Sequence, residues 1–287
     1  MRTTSLRSGL AAAMFAMFGA VSAVAQEAGE LLGAPVPGGI GFQPAATELA
    51  RDLQGLDALL NWIIGAIVLF VVVMIAWVIV RHNRRANPEP KTFTHNTPLE
   101  VAWTGIPILI LIVIGFFSLP VLFKQQEIPE GDIYIKVTGY QWYWGYEYVD
   151  EGFGFDSLLL AREELADYGY SDDKYLLATD TKVVVPVGKT VVMGVTGADV
   201  IHSWTIPAFG VKQDAVPGRV AELWFKAEKT GTFFGQCSEL CGKDHAYMPI
   251  TVQVVEQDEY DAWLEGAKDE YALNDTLDTG VKFASAE

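Results

Sequence analysis

Residues 58–80 and residues 101–123 each run for 23 positions without a charged side chain. Coiled as a helix, either run would extend about 35 Å at 1.5 Å per residue, enough to cross a bilayer. Trp62 and Trp77 stand near the ends of the first run and Trp103 near the start of the second, where interfacial anchors belong. Pro107 and Pro120 fall inside the second run. Proline is tolerated in a membrane helix when neighbouring groups satisfy the freed backbone. Two buried soluble helices are a poor alternative for runs this long and this free of charge. The spacing predicts a two-helix transmembrane hairpin in contact with the lipid bilayer, with helices over 57–81 and 100–124 and a loop over 82–99.

That loop region carries Arg81, Arg84, Arg85 and Lys91 against Glu89 and Glu100. An excess of arginine and lysine places a short loop in the cytoplasm. An independent clue agrees. Residues 1–25 read as a secretory signal, with Arg2 and Arg7 ahead of a short apolar core and Ala23-Val24-Ala25 as a cleavage pattern. Residues 26–56 form a Gly- and Pro-rich approach to the membrane that ends in a short amphipathic piece over 49–56. Both ends of the mature chain are then expected outside the cytoplasm.

From Gln125 onward the chain reads as a soluble domain with 29 acidic residues against 12 basic ones, which accounts for more than the whole net charge of −16. Nucleic acid, which needs a basic surface, is excluded as a partner. A cationic protein is favoured, because an acidic face steers one toward it. Short runs at 133–137, 182–187, 190–196, 219–226, 231–236 and 248–255 read as strands separated by Gly, Pro or Asp. Regular short strands predict an all-β antiparallel sandwich or Greek-key barrel over 125–270. One helical insert is expected at 161–168. A closing amphipathic helix is expected over 257–269, with Tyr260, Trp263, Leu264 and Ala267 on one face. Residues 271–287 are expected to be a loosely ordered tail.

The chemistry is concentrated in residues 237–248, which hold both cysteines of the chain, His245 and Met248. Thiolates, imidazole and thioether suit copper better than calcium or magnesium, which want oxygen. Topology sorts the four histidines. His82 and His95 belong to the cytoplasmic loop, so only His202 and His245 can reach the cysteines. An upstream histidine followed by a late Cys…His…Met cluster is how cupredoxin copper sites are assembled. A mononuclear blue-copper site uses one thiolate, and here there are two. Two coppers bridged by Cys237 and Cys241 fit better. Each metal would take one imidazole and a weak axial ligand: Met248 sulfur for one, a loop carbonyl, that of Glu239, for the other. A Cys2His2 zinc site and a Cys237–Cys241 disulfide remain open as alternatives.

Three stretches carry a resemblance: Val200-Ile201-His202-Ser203-Trp204; Gln236-Cys237-Ser238-Glu239-Leu240-Cys241-Gly242 with His245-Ala246-Tyr247-Met248; and Gln141-Trp142-Tyr143-Trp144-Gly145-Tyr146-Glu147-Tyr148. Together with Asp214-Ala215-Val216-Pro217-Gly218-Arg219 and the membrane hairpin, they closely resemble cytochrome c oxidase subunit II over nearly the whole mature chain. The signal segment and the insert point to a bacterial, aa3-type member in the inner membrane with its β-domain in the periplasm. The resemblance implies a cupredoxin domain with a dinuclear copper (CuA) centre held by His202, Cys237, the Glu239 carbonyl, Cys241, His245 and Met248. It also implies a magnesium ion shared with subunit I through the Glu239 carboxylate.

Other roles follow from the same resemblance. Trp142 would be the point where electrons from cytochrome c enter, ringed by the docking acids Glu147, Asp150, Glu151, Asp180 and Asp199. Glu100 would stand at the mouth of a proton-uptake path in subunit I. Electrons would pass on to haem in subunit I, where oxygen is reduced and protons are pumped, among further oxidase subunits. Two rivals are a copper-free quinol oxidase subunit II and a membrane-anchored copper-delivery protein.

Overall fold

A computed structural model describes residues 33–89 and 91–271. The expected signal segment, residues 26–32 and the tail from 272 lie outside the described residues.

The hairpin consists of α1 (Glu48–Arg81) and α2 (Thr97–Gln126). Both are long and apolar enough to cross a membrane, and the most apolar window of each has no residue buried inside the protein. Side chains such as Trp62, Phe70, Trp77 and Phe116 are exposed all round. A bilayer, not a protein core, solvates such a surface. The amphipathic piece at 49–56 is not separate from the first span: α1 begins at Glu48 and carries both. At the start of α2, the Asn96 side chain accepts the Leu99 N–H at 3.2 Å and Glu100 reaches back to accept the Asn96 N–H at 3.2 Å. This reciprocal cap satisfies two backbone donors that a helix start leaves free.

Ten strands follow: β1 (Ile133–Tyr140), β2 (Tyr143–Tyr148), β3 (Phe153–Ser157), β4 (Val183–Pro186), β5 (Thr190–Gly197), β6 (His202–Ile206), β7 (Val211–Ala215), β8 (Ala221–Lys226), β9 (Gly231–Gln236) and β10 (Pro249–Val255). They form a five-stranded sheet β3-β2-β1-β5-β8, a three-stranded sheet β4-β10-β9 and the β6-β7 hairpin. The domain is a β-sandwich, but not a purely antiparallel one. β1 pairs β5 and β4 pairs β10 in parallel. Each parallel pair needs a crossover between sheets, which strand-by-strand periodicity does not encode.

Alternation in β2 is regular. Trp144, Tyr146 and Tyr148 are buried, while Tyr143, Gly145 and Glu147 are half-exposed. Tyr148 Oη donates to the Val184 carbonyl at 2.7 Å and so ties the two larger sheets together. The C-terminal helix α3 (Gln257–Glu270) buries Tyr260 and Ala267 and lays Trp263 against Tyr148 and Phe153. The expected helix at 161–168 does not form. Its backbone closes successive three-residue turns, Glu164 N–H to Ala161 O, Asp167 N–H to Glu164 O and Gly169 N–H to Ala166 O. The run is too short to repay helix nucleation. Its buried Leu165 instead plugs a small cluster with Leu160, Ala178 and Phe234.

The hairpin is fastened to the sandwich at the head of α1. Thr47 Oγ1 accepts the Ala50 N–H at 3.0 Å and donates to the Phe209 carbonyl at 2.7 Å. Gly210 has φ +68°, and a Cβ there would stand 2.6 Å from Ala50 Cα, so the backbone approach requires glycine. Arg51 forks onto Glu228, and Lys124 of α2 bridges Glu48 and Asp52 of α1.

Candidate metal centre

Four chain ends meet at one pole of the sandwich: the end of β1, the start of β6, the end of β9 and the start of β10. They deliver, in turn, the Gln141–Trp142 tip, His202, Cys237 and Met248. Residues 238–247 loop out and back between β9 and β10. The loop is stitched down by Ser238 N–H to Ser203 O at 2.9 Å and Cys237 N–H to Met248 O at 3.3 Å.

The donors predicted from sequence come together. Cys237 Sγ and Cys241 Sγ stand 3.9 Å apart. Cys237 Sγ lies 4.0 Å from His202 Nδ1 and 3.3 Å from the Glu239 carbonyl oxygen. Cys241 Sγ lies 3.6 Å from His245 Nδ1 and 3.5 Å from Met248 Sδ. Both cysteines are free and buried. Their sulfurs are about twice the ~2.0 Å of a disulfide apart, so the pair is unbonded. Metal–sulfur bonds of about 2.3 Å to a shared ion span this gap.

His202, Cys237 and Cys241 have their ligand atoms within 4.8 Å of one another, and His245 falls outside that group. His202 Nδ1 contacts Cys237 Sγ and His245 Nδ1 contacts Cys241 Sγ.

Electrostatics favour only one thiolate while no cation is present. Burial raises the Cys237 thiol, but hydrogen bonds with His202 and with the backbone at Glu239 and Ser203 bring it down to about 7. Burial and the Cys237 charge push Cys241 up to about 12. A bound cation reverses this, because a coordinated thiol is deprotonated. Burial also works against charge on His202, yet its contacts with Cys237 and Asp199 raise its pKa overall.

Trp142 is half-buried at the β1–β2 tip and touches the donor loop. Its Nε1–H donates to the Cys241 carbonyl at 3.3 Å, and Gln141 Nε2–H donates to the same oxygen at 2.8 Å. Gly242 has φ +129°, and a Cβ there would stand 3.0 Å from the Trp142 ring, so the ring lies flush on the loop. The Lys243 ammonium stands 5.3 Å from the ring centroid.

The five candidate docking acids divide. Asp199 and Asp180 lie near this pole, and Asp180 accepts the Leu158 and Thr181 N–H groups. Glu147 is ion-paired with Lys136 at 2.7 Å. Asp150 and Glu151 sit in the turn after β2, at the other end of that strand, where Glu151 pairs with Lys268. The register adds an acid that sequence reasoning missed. Asp156 pairs opposite Gly145, and burial and then Asp180 raise its pKa. Glu239 is exposed on the loop, and Glu100 lies at the far end of α2, away from this pole.

Comparison with known proteins accounts for both parts of the molecule. The family model for the cytochrome c oxidase subunit II periplasmic domain matches residues 133–255, and that for the transmembrane domain matches residues 35–121. Cytochrome c oxidase subunit 2 of Cereibacter sphaeroides is 55% identical over 283 residues, covering 93% of each chain. A probable cytochrome c oxidase subunit 2 of Rickettsia bellii is 44% identical over 241 residues, covering 84% of this chain and 88% of that one. The crystal structure of the periplasmic domain of subunit II of cytochrome oxidase of Bradyrhizobium japonicum shares 55% identity, covers 50% of this chain and 99% of that chain, and has a TM-score of 0.46. With hairpin and β-domain both matched, and with a close relative aligned over nearly its full length, the chain belongs to the cytochrome c oxidase subunit II family.

Proposed function

We propose that this chain holds two copper ions between Cys237 and Cys241 and uses them to take single electrons from cytochrome c for delivery to haem in subunit I. The observation that carries this reading is the convergence of two imidazoles, the Met248 Sδ and the Glu239 carbonyl on an unbonded pair of cysteine sulfurs. The donor chemistry, soft thiolates and thioether with two imidazoles, fits copper. When bound, the metal pair supplies a one-electron acceptor whose charge is shared through the thiolates.

The chain's own residues supply position and access. The sandwich fixes His202 and Cys237, and the loop brings Cys241, His245 and Met248 to them. Trp142 lies on the loop with its indole bonded to the Cys241 carbonyl, a direct contact between a half-exposed aromatic and a metal-holding residue. A donor haem edge meeting Trp142 would therefore be one side chain away from the centre. Acids at the same pole (Asp156 and Asp180) would draw in a cationic cytochrome. The excess of arginine in the loop and the signal segment support a periplasmic position for this pole. Glu239, an exposed acid beside the centre, is proposed to hold magnesium with subunit I. Glu100 caps α2, and its proposed part at a proton path is additional to that structural one.

A copper-free quinol oxidase subunit would have no use for six converging donors, and a delivery protein would have none for the Trp142 contact. The deciding experiment is metal analysis with electron-spin resonance on the full chain in detergent. Two coppers per chain, purple in the oxidised form, are expected. One zinc without visible absorption would overturn the reading. Trp142→Phe is expected to retain copper and slow electron uptake from cytochrome c; unchanged rates would remove Trp142 from its role.

A further inference from the structure

Asp199 was grouped with the docking acids, yet its carboxylate is already engaged on three sides. Oδ1 stands 2.8 Å from His202 Nε2 and accepts the Val200 N–H at 2.7 Å. Oδ2 accepts the Gln141 N–H at 2.7 Å. Its side chain is only 34% exposed. A steering charge needs none of these contacts and is weakened by them, because a charge already paired exerts less outward field.

We infer that Asp199 is the positioning residue of the metal centre, one carboxylate that sets the coordinating face of His202 and anchors the Gln141–Trp142 tip beside it. The argument runs through the imidazole. An ionised carboxylate can only accept, so the contact requires the proton on Nε2. A neutral ring then has a bare Nδ1, and Nδ1 is the atom that faces Cys237 Sγ. Carboxylate partners fix metal-bound histidines in this way and raise their basicity. The ring has no freedom to choose another orientation. It is fully buried, lies edge-on to Trp144 at 5.9 Å, and is roofed by Gly139, where a Cβ would stand 2.8 Å from it. The other oxygen holds the backbone of the residue before Trp142, and the Ala198 N–H to Gly139 carbonyl bond at 2.9 Å fastens the same loop to the end of β1. Anything that moves the tip therefore pulls on the carboxylate that orients His202. The inference rests on the copper reading for its metal arm but not for its imidazole arm.

The test uses the full chain in detergent. In the metal-free protein, nitrogen NMR of the histidines at a pH where His202 is neutral is expected to show the Nε2–H tautomer. A predominant Nδ1–H form would overturn the inference even if no variant folds. In the copper-loaded protein, Asp199→Asn keeps the shape but removes the charge. Copper content is expected to hold, while the reduction potential rises by at least a tenfold shift in the oxidised-to-reduced equilibrium, about 59 mV for one electron. The copper–nitrogen hyperfine pattern is expected to change with it. Asp199→Glu is expected to recover part of the shift. Asp150→Asn, a neutralised charge at the far end of β2, is expected to leave the potential in place. Equal shifts for Asp199→Asn and Asp150→Asn would mean a general charge effect and would overturn the positioning role, as would an unchanged potential and spectrum in Asp199→Asn. A wild-type chain that takes up no copper pair overturns the copper reading instead, and the imidazole measurement still decides Asp199.

Discussion

His202 and His245 each present Nδ1 to a cysteine sulfur, yet they are built into the protein in different ways. His202 opens strand β6, is fully buried, and is held by Asp199, Trp144 and Gly139. His245 begins a single 3-10 turn, His245–Tyr247, is half-exposed, and meets Cys241 Sγ through Nδ1. One half of the donor set is preorganised by the sandwich. The other half is carried on a loop. Truncating the two rings should therefore separate folding from metal binding. His202→Ala should cost the metal-free chain about 3–5 kcal/mol, the usual toll for emptying a large buried ring site. His245→Ala should change stability by less than about 0.5 kcal/mol, as for most surface substitutions, while still weakening copper uptake. Urea unfolding of both metal-free variants checks this. Equal destabilisation would erase the distinction between the halves.

A smaller change tests the same boundary without touching a donor. A Cβ on Gly139 would meet the His202 ring at 2.8 Å, and its neighbours leave little room for retreat. Gly139→Ala should destabilise by about 1–3 kcal/mol, typical of overpacking, and should lower copper retention because Nδ1 is displaced. Gly242→Ala strains the open half instead, through its φ of +129° and the Trp142 ring. It should disturb Trp142 fluorescence more than global stability. The reverse pattern would place the rigid half in the loop.

Proton release on loading gives the next step down. Cys241 is pushed up to about 12 by burial and the Cys237 charge, whereas Cys237, raised by burial but lowered further by its hydrogen bonds, sits near 7. Metal binding needs both as thiolates. Above pH 7 the Cys241 proton must leave, with any proton that His202 still carries, so apparent copper affinity should rise by at least about tenfold per pH unit, roughly 1.4 kcal/mol. Below pH 7 the Cys237 proton must leave as well and the slope should steepen. Chelator competition from pH 6 to 9 reads this directly. A flat profile would show that both thiols ionise without help from the metal.

The open half was the more legible in sequence. Cys237, Cys241, His245 and Met248 lie within twelve residues, and soft donors at that spacing already point to one site. His202 could be reached only by discarding the two histidines of the loop between the membrane runs. What locks His202 was not legible at all. Asp199 reads as a surface docking acid because nothing local says that its carboxylate turns inward, and no local signal marks Gly139 as the residue packed on the His202 ring. The parallel β1–β5 pairing that brings the tip to Asp199 joins residues far apart in sequence. The spans were plain because hydropathy is a local property. The helix at 161–168 was wrong because local propensity lost to the buried Leu165 cluster.

The smallest effect concerns the charges around the rigid half, and its sign distinguishes a functional acid from a structural one. Among the described residues no cation is ion-paired with Asp156, and its pKa carries only raising influences. Burial and the nearby Asp180 raise its pKa, so its ionised form is disfavoured in the folded chain. A carboxylate raised in this way costs stability at pH values above its folded pKa, and that cost disappears as pH falls through it. Asp156→Asn should therefore leave the metal-free chain slightly more stable at neutral pH. The same substitution should lower kcat/KM for cytochrome c at low salt by about 1.4- to 5-fold, the range of a single exposed ionic contact, and should flatten the ionic-strength dependence. Asp150→Asn, at the far end of β2, should change neither quantity by a comparable amount. Opposite signs on stability and turnover at Asp156 would mark a charge kept for its partner. A loss of both would show that Asp156 supports the fold, and the docking face would then have to be sought away from the rigid half.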